Sequence, residues 1–122
     1  MSSVLYEQTD KIVTITLSRP EAMNSIDPET QEALVQAWTR FRDDESAWVA
    51  ILTGAGDKAF SAGADLKKMI PRAQAPGYRR DRDLGLGGIT RGLEIWKPMI
   101  AAVNGHCLAG FAEKRKPYFR AR

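Results

Sequence analysis

The chain has 122 residues, 43% of them hydrophobic, and a formal net charge of +3. Its length suits one domain and its composition an ordinary globular fold, and the lack of any apolar run of about 18 residues excludes a membrane-spanning helix. Cys107 is the only cysteine and His106 the only histidine, which excludes an internal disulfide and a histidine-based metal cluster.

The N-terminus, MSSVLYEQTDKIV, lacks a basic segment followed by a long apolar stretch. No secretory signal is expected there, and the expected compartment is the cytoplasm. The charge is unevenly spread. Residues 113–122, EKRKPYFRAR, hold five basic residues and one acidic residue, so the first 112 residues net −1. A terminal basic run reads as a solvated end, with a nucleic-acid arm as the sharper alternative. Nothing else in the sequence supports nucleic-acid binding.

Residues 4–9 and 11–18 read as two strands joined at a polar turn, Thr9-Asp10-Lys11. In the second, Val13, Ile15 and Leu17 alternate with Thr14 and Thr16, the period of a strand with one buried face. The loop RPEAMNSIDPET then ends in a helix start, with Asp27 as N-cap, Pro28 at the first helical position and Glu29 at the positive end of the dipole. Leu34, Ala37, Trp38 and Phe41 define one face of that helix, which runs to about Glu45. Residues 48–53, WVAILT, read as a strand covered on both faces.

Residues 59–69, AFSAGADLKKM, place four small residues after Phe60 and just before a helix start. Small side chains bury little area, so the stretch reads as exposed backbone rather than core. The first N–H groups of a helix lack internal partners and can receive an anion or a developing oxyanion. Asp65 can cap the helix that follows, and Gly63 allows angles that other residues resist. A plain tight turn explains the same residues.

Residues 71–82, with Pro71, Pro76, Gly77 and clustered arginines, read as a mobile surface loop. Residues 83–96 keep helical spacing through Leu86, Ile89, Leu93 and Trp96, and Pro98 stops that helix. MIAAV at 99–103 is another apolar strand, and Asn104-Gly105 a turn. IAAVNGHCLAG thus repeats the earlier design, with a strand, a turn, and small residues up to Gly110. Two such loops could aim two N–H groups at one acyl oxygen, and one such donor is worth about 3 kcal/mol of transition-state stabilisation. Alternating strands and helices imply an α/β layered fold.

At these residues the chain resembles the crotonase, or enoyl-CoA hydratase/isomerase, superfamily. AFSAGADLKKM and KPMIAAVNGHCLAG are similar to its two signature segments, and LSRPEAMNSID to its early coenzyme A-contacting loop. The resemblance covers residues 4 to about 110. It implies a crotonase-like fold of ββα units with a mainly parallel sheet, incomplete at the C-terminus, and an acyl-CoA thioester as substrate. It implies an oxyanion hole from the N–H groups of Ala64 and Gly110, with Ala62, Asp65 and Leu66 along the adenine and pantetheine path. Ala22 and Met23 match the early coenzyme A contacts. Coenzyme A enters as part of the substrate, so no separate cofactor and no metal are expected.

After Gly110 the match fails, because the family's second glycine and apolar helix are replaced by Phe111-Ala112-Glu113 and the basic tail. The expected organisation is a crotonase-fold portion over 1–112, truncated or frame-altered after about residue 110, and a non-family tail over 113–122. Counted without gaps, Glu113 falls on the family's first catalytic glutamate, and a tail carboxylate that happens to align is the other reading. No candidate for the second carboxylate is visible, and Asp65 reads as a helix cap rather than a general base. The activity the resemblance implies is hydration of 2-enoyl-CoA, impaired in this chain. The alternatives are a non-catalytic acyl-CoA-binding or interaction fragment, and double-bond isomerisation. Family members form trimers or hexamers, and this chain is expected to self-associate.

Overall fold

The computed structural model describes residues 2–74, 76, 93–107 and 119–121. The first two strands, β1 (Val4–Thr9) and β2 (Ile12–Leu17), pair antiparallel with Thr9 opposite Ile12. Asp10 turns the chain between them at φ 57°, a left-handed conformation that short polar side chains tolerate. The alternation in β2 has the expected consequence: Val13, Ile15 and Leu17 are buried.

Helix α1 (Pro28–Asp43) starts as expected at Asp27, whose carboxylate accepts a 2.8 Å hydrogen bond from the Thr30 N–H. It ends two residues before Glu45. Leu34, Ala37, Trp38 and Phe41 are buried in the same apolar cluster as Val13, Ile15, Leu17, Ala50, Leu52, Ala101 and Val103. Each fully buried large side chain, such as Leu34 or Phe41, contributes about 1.5–3 kcal/mol relative to exposure. Lys97 secures the far end of α1 by donating to the carbonyls of Phe41 at 2.7 Å and Asp44 at 2.6 Å. A cation there also complements the negative end of the helix dipole.

Strands β3 (Val49–Gly54) and β5 (Met99–Val103) extend the sheet in parallel from β2, and β7 (Phe119–Ala121) pairs parallel with β5. The sheet order is β1-β2-β3-β5-β7, a mostly parallel sheet with one antiparallel edge strand. Two short strands, β4 (Ala59–Ser61) and β6 (His106–Cys107), form a separate parallel pair. This is the expected α/β, mainly parallel arrangement.

Four expectations need correction. Residues 59–61 form strand β4 and are buried, with Ser61 at 0% exposure. The small side chains there let the backbone lie inside the fold. Helix α2 (Leu66–Gln74) continues through Pro71, where a surface loop was expected. The position is exposed, so the helix forfeits one internal hydrogen bond and no core packing. Residues 93–96 are not helical. They alternate between half-buried Leu93 and Ile95 and exposed Glu94 and Trp96, a period of two, and Pro98 holds Lys97 toward extended angles. Residues 119–121 join the sheet, although the tail was expected to stay in solvent. An edge strand offers a row of backbone donors and acceptors that can be paired without any apolar period in the partner.

Candidate active site

The ends of β3 and β5 lie side by side, and ligand sites of parallel sheets form beyond such carboxyl ends. The Asn104 side chain closes this end. Its amide nitrogen donates to the carbonyls of Gly54 (2.7 Å) and Gly56 (2.9 Å), and its oxygen accepts from the Gly54 N–H at 3.3 Å. Ala59 pairs in parallel with His106 and Ser61 with Cys107, so the start of the first small-residue segment lies beside residues 106–107.

The 19–27 loop wraps the first of these segments. A 3-10 turn at Pro20–Ala22 leads into Met23 and Asn24, both left-handed at φ 57° and 54°. Strained backbone of this kind costs about 1–3 kcal/mol per residue and persists only where its surroundings hold it. The Asn24 side chain does that. Its oxygen accepts from the Arg19 N–H at 2.8 Å, and its nitrogen donates to the carbonyls of Ala55 (3.0 Å) and Ala59 (2.9 Å). A Cβ on Gly54 would sit 2.5 Å from the Phe60 carbonyl and 2.8 Å from this amide nitrogen, so only glycine fits.

Further along, the Ser61 hydroxyl donates to the Asn24 carbonyl at 2.8 Å and accepts from the Gly63 N–H at 3.1 Å. The Ala62 N–H reaches the Met23 carbonyl at 3.0 Å. Gly63 turns at φ 88°, the left-handed region that excludes most side chains. Ala64 is then bridged to Ile26: the Ile26 N–H bonds the Gly63 carbonyl at 2.7 Å and the Asp65 N–H bonds the Ile26 carbonyl at 2.8 Å. In such a parallel bridge the N–H of the middle residue points to the opposite side. The N–H of Ala64 makes no hydrogen bond among the described residues, and it precedes the N-terminus of α2 by two residues.

Charge surrounds this bridge. Arg19 lies 3.5 Å from Asp27 and 3.5 Å from Asp65, and Lys68 lies 3.6 Å from Asp27. Burial pushes the Asp27 carboxyl up, but the hydrogen bonds from Thr30 and the charges of Arg19 and Lys68 outweigh it, and the net shift is downward. Among the described residues Asp65 makes no capping bond to α2 through its carboxylate, which lies toward Arg19. Its backbone carbonyl accepts from the Lys68 and Met69 N–H groups instead.

The structure therefore brings together Met23, Ala62, Ala64 and Asp65, with Ala22 in the turn before them. Leu66, at the head of α2, is 65% exposed, unusual for a large apolar residue. Gly110 and Glu113 lie outside the described residues. Sequence reasoning missed Arg19, Asn24 and Ser61. The signal for Asn24 was its place in a loop bounded by Pro20 and Pro28, where an amide can hold a left-handed turn. Among the described residues no group of His, Cys, Asp or Glu is placed to hold a metal, and no helix is long and apolar enough to cross a membrane.

The mainly parallel sheet, with its antiparallel edge strand and a helix packed on it, defines an α/β protein. The chain belongs to the enoyl-CoA hydratase/isomerase family, whose sequence model matches residues 7–113. It is 43% identical over 112 residues to the (E)-benzylidenesuccinyl-CoA hydratase of Thauera aromatica, covering 90% of this chain and 42% of that protein. It is 49% identical over 102 residues to the carnitinyl-CoA dehydratase of Salmonella arizonae, covering 81% and 37%. Among solved structures, an enoyl-CoA hydratase from Mycobacterium tuberculosis H37Rv superposes with a TM-score of 0.76 at 38% identity, over 93% of this chain and 42% of that one. A carnitinyl-CoA hydratase from Mycobacterium avium gives 0.78 at 36%, over 93% and 42%. The chain thus spans less than half the length of these relatives.

Proposed function

We propose that this chain carries the thioester-binding part of a 2-enoyl-CoA hydratase site. The observation that carries the reading is the N–H of Ala64, unpaired among the described residues and turned away from Ile26 by the bridge. In this reading it donates to the thioester oxygen together with the N–H of Gly110. Ala22 and Met23 contact the coenzyme A moiety early in the chain, and Ala62, Asp65 and Leu66 line its adenine and pantetheine path. Coenzyme A is part of the substrate and not a separate cofactor.

In hydration, a water oxygen bonds to C3 of the enoyl group as the C2–C3 π pair moves toward the thioester. The thioester oxygen takes the negative charge and is stabilised by the two N–H donors. The water loses one proton to a carboxylate, with Glu113 in that role, and the resulting carboxylic acid returns that proton to C2 as the thioester carbonyl re-forms, which restores the carboxylate. General acid–base help of this kind is worth roughly 100- to 10,000-fold. Relatives named as a hydratase and a dehydratase of CoA thioesters favour water addition or removal over double-bond migration.

The test is the Ala64→Pro variant, which removes the N–H and no hydrogen bond formed among the described residues. Binding of crotonyl-CoA should be lost or sharply weakened relative to free coenzyme A, with the circular dichroism spectrum kept. Unchanged crotonyl-CoA binding and turnover in a folded Ala64→Pro protein would overturn the reading.

A further inference from the structure

We propose that Arg19 is a positioning residue for the oxyanion site, a clasp that sets the aim of the Ala64 N–H; the inference rests on the hydratase reading above. The argument starts from where one guanidinium reaches. Its Nη1 donates to the Ser25 carbonyl at 2.7 Å and lies 3.5 Å from Asp27, while its Nη2 lies 3.5 Å from Asp65. Ser25 and Asp27 flank Ile26 in the chain, and Asp65 follows Ala64. Arg19 therefore holds, side by side, the neighbours of the two residues that form the bridge.

The bridge itself consists of two backbone hydrogen bonds, Ile26 N–H to Gly63 and Asp65 N–H to Ile26. They fix the separation of the two segments, and the Ala62 N–H to Met23 and Ser61 hydroxyl to Asn24 bonds secure them before the Gly63 turn. The part most open to a roll about the bridge is thus the Ala64-Asp65 end beyond that turn. Such a roll would swing the Ala64 N–H, which itself makes no hydrogen bond among the described residues. Positions in a catalytic constellation need to be held within about half an ångström. The Arg19 fork lies across the bridge and opposes that roll. It is also sheltered: the side chains of Arg19, Asp27 and Asp65 are 14%, 10% and 19% exposed, so solvent screens the clasp weakly.

A planar guanidinium can serve several acceptors at fixed angles, which a lysine ammonium cannot. Arg19 is itself held in place, since its backbone N–H is bound by Asn24. Losing the side chain thus leaves the loop and its coenzyme A contacts attached while freeing the angle of Ala64.

The experiment uses the full chain and a CoA thioester of a donor-substituted cinnamic acid. Its absorption moves to longer wavelength as its carbonyl oxygen takes up negative charge, so the shift reports the oxyanion donors without any turnover. The unaltered chain is expected to show the shift. Arg19→Gln should lose most of it while retaining affinity for free coenzyme A, and Arg19→Lys should recover part. Asp65→Asn, which removes one arm of the clasp, should reduce it too. Arg42→Gln, which breaks the exposed pair with Asp43 far from the site, should leave it intact. A general loss of structure would remove coenzyme A affinity and shift together. A full shift in folded Arg19→Gln and Asp65→Asn proteins overturns the inference while the hydratase reading stands. If Arg19→Gln does not fold, Asp65→Asn alone decides. No shift, or no binding, in the unaltered chain overturns the hydratase reading and this inference with it.

Discussion

The side-chain amide of Asn24 donates a 2.9 Å hydrogen bond to the carbonyl of Ala59, 35 residues further along the chain. This contact joins the 19–27 loop to strand β4, and Asn24 is 1% exposed. Replacing it with alanine would strand the Arg19 N–H and the Ala55 and Ala59 carbonyls that it serves. Each buried group left unpaired costs about 1–3 kcal/mol. Asn24→Ala should therefore lower the urea midpoint by an amount equivalent to about 2–4 kcal/mol, with losses of this size expected only where a buried network breaks. A change below about 0.5 kcal/mol, the range of ordinary surface substitutions, would show that the network is not formed.

Asp27 makes stability depend on pH. Folding lowers its pKa, so its charged form contributes stability that is fully present above the unfolded-state value of about 3.9. That contribution is lost as the pH falls through the lower folded-state value. Asn is also a good N-cap, so Asp27→Asn keeps the hydrogen bond to Thr30 and removes only the charge facing Arg19 and Lys68. The variant should be less stable than the unaltered chain at pH 7, and the gap should close below about pH 3.9. Denaturant titrations across pH 2.5–7 measure it, and a gap independent of pH would contradict the assignment.

The sequence carried the sheet and the first helix because those signals are local. Threonines alternating with Val13, Ile15 and Leu17, and the Asp27-Pro28 start, fix their structure within a few residues. The site was half legible. The small residues at 61–64 pointed to exposed backbone, and the structure gives Ala64 an N–H unpaired among the described residues. It could not show that Ser61 is buried, or that Arg19 meets Asp65, because those contacts span 37 residues for Ser61–Asn24 and depend on the loop's left-handed turn. Residues 93–97 misled because Leu93 and Trp96 suit a helical spacing, while the half-burial of Leu93 and Ile95 and the restriction from Pro98 select a period of two. The strand at 119–121 has no period to find, since its pairing rests on backbone groups.

Gly54 ends β3 where three chain segments converge. An added methyl group would lie 2.5 Å from the Phe60 carbonyl and 2.7 Å from the Ala59 carbonyl, both backbone atoms. Backbone cannot swing aside as a flexible side chain does, so Gly54→Ala must displace β4. Overpacking costs typically about 1–3 kcal/mol, and this site should fall at or above the upper end. Thermal unfolding gives the number. A Gly54→Ala protein as stable as the original would mean that β4 does not approach β3 this closely.

Hydrogen exchange at single amides separates the Ala64 N–H from its neighbours. The Ile26 and Asp65 N–H groups are bonded across the bridge at 2.7 and 2.8 Å, whereas that of Ala64 is unpaired among the described residues. Exchange of a bonded amide requires an opening that breaks its bond. If that opening costs one to two kcal/mol, the difference is about 5- to 30-fold in population. In the free protein Ala64 should therefore exchange faster than Ile26 and Asp65 by at least that margin, after correction for intrinsic rates. Saturating crotonyl-CoA should slow Ala64 selectively, because a thioester oxygen then occupies its N–H. Free coenzyme A, which lacks the acyl oxygen, should slow it far less. Two-dimensional NMR after transfer into deuterated buffer reads all three amides in one experiment. Protection of Ala64 equal to that of Ile26 in the free protein would mean that its N–H is already bonded, and it could not then serve as an oxyanion donor.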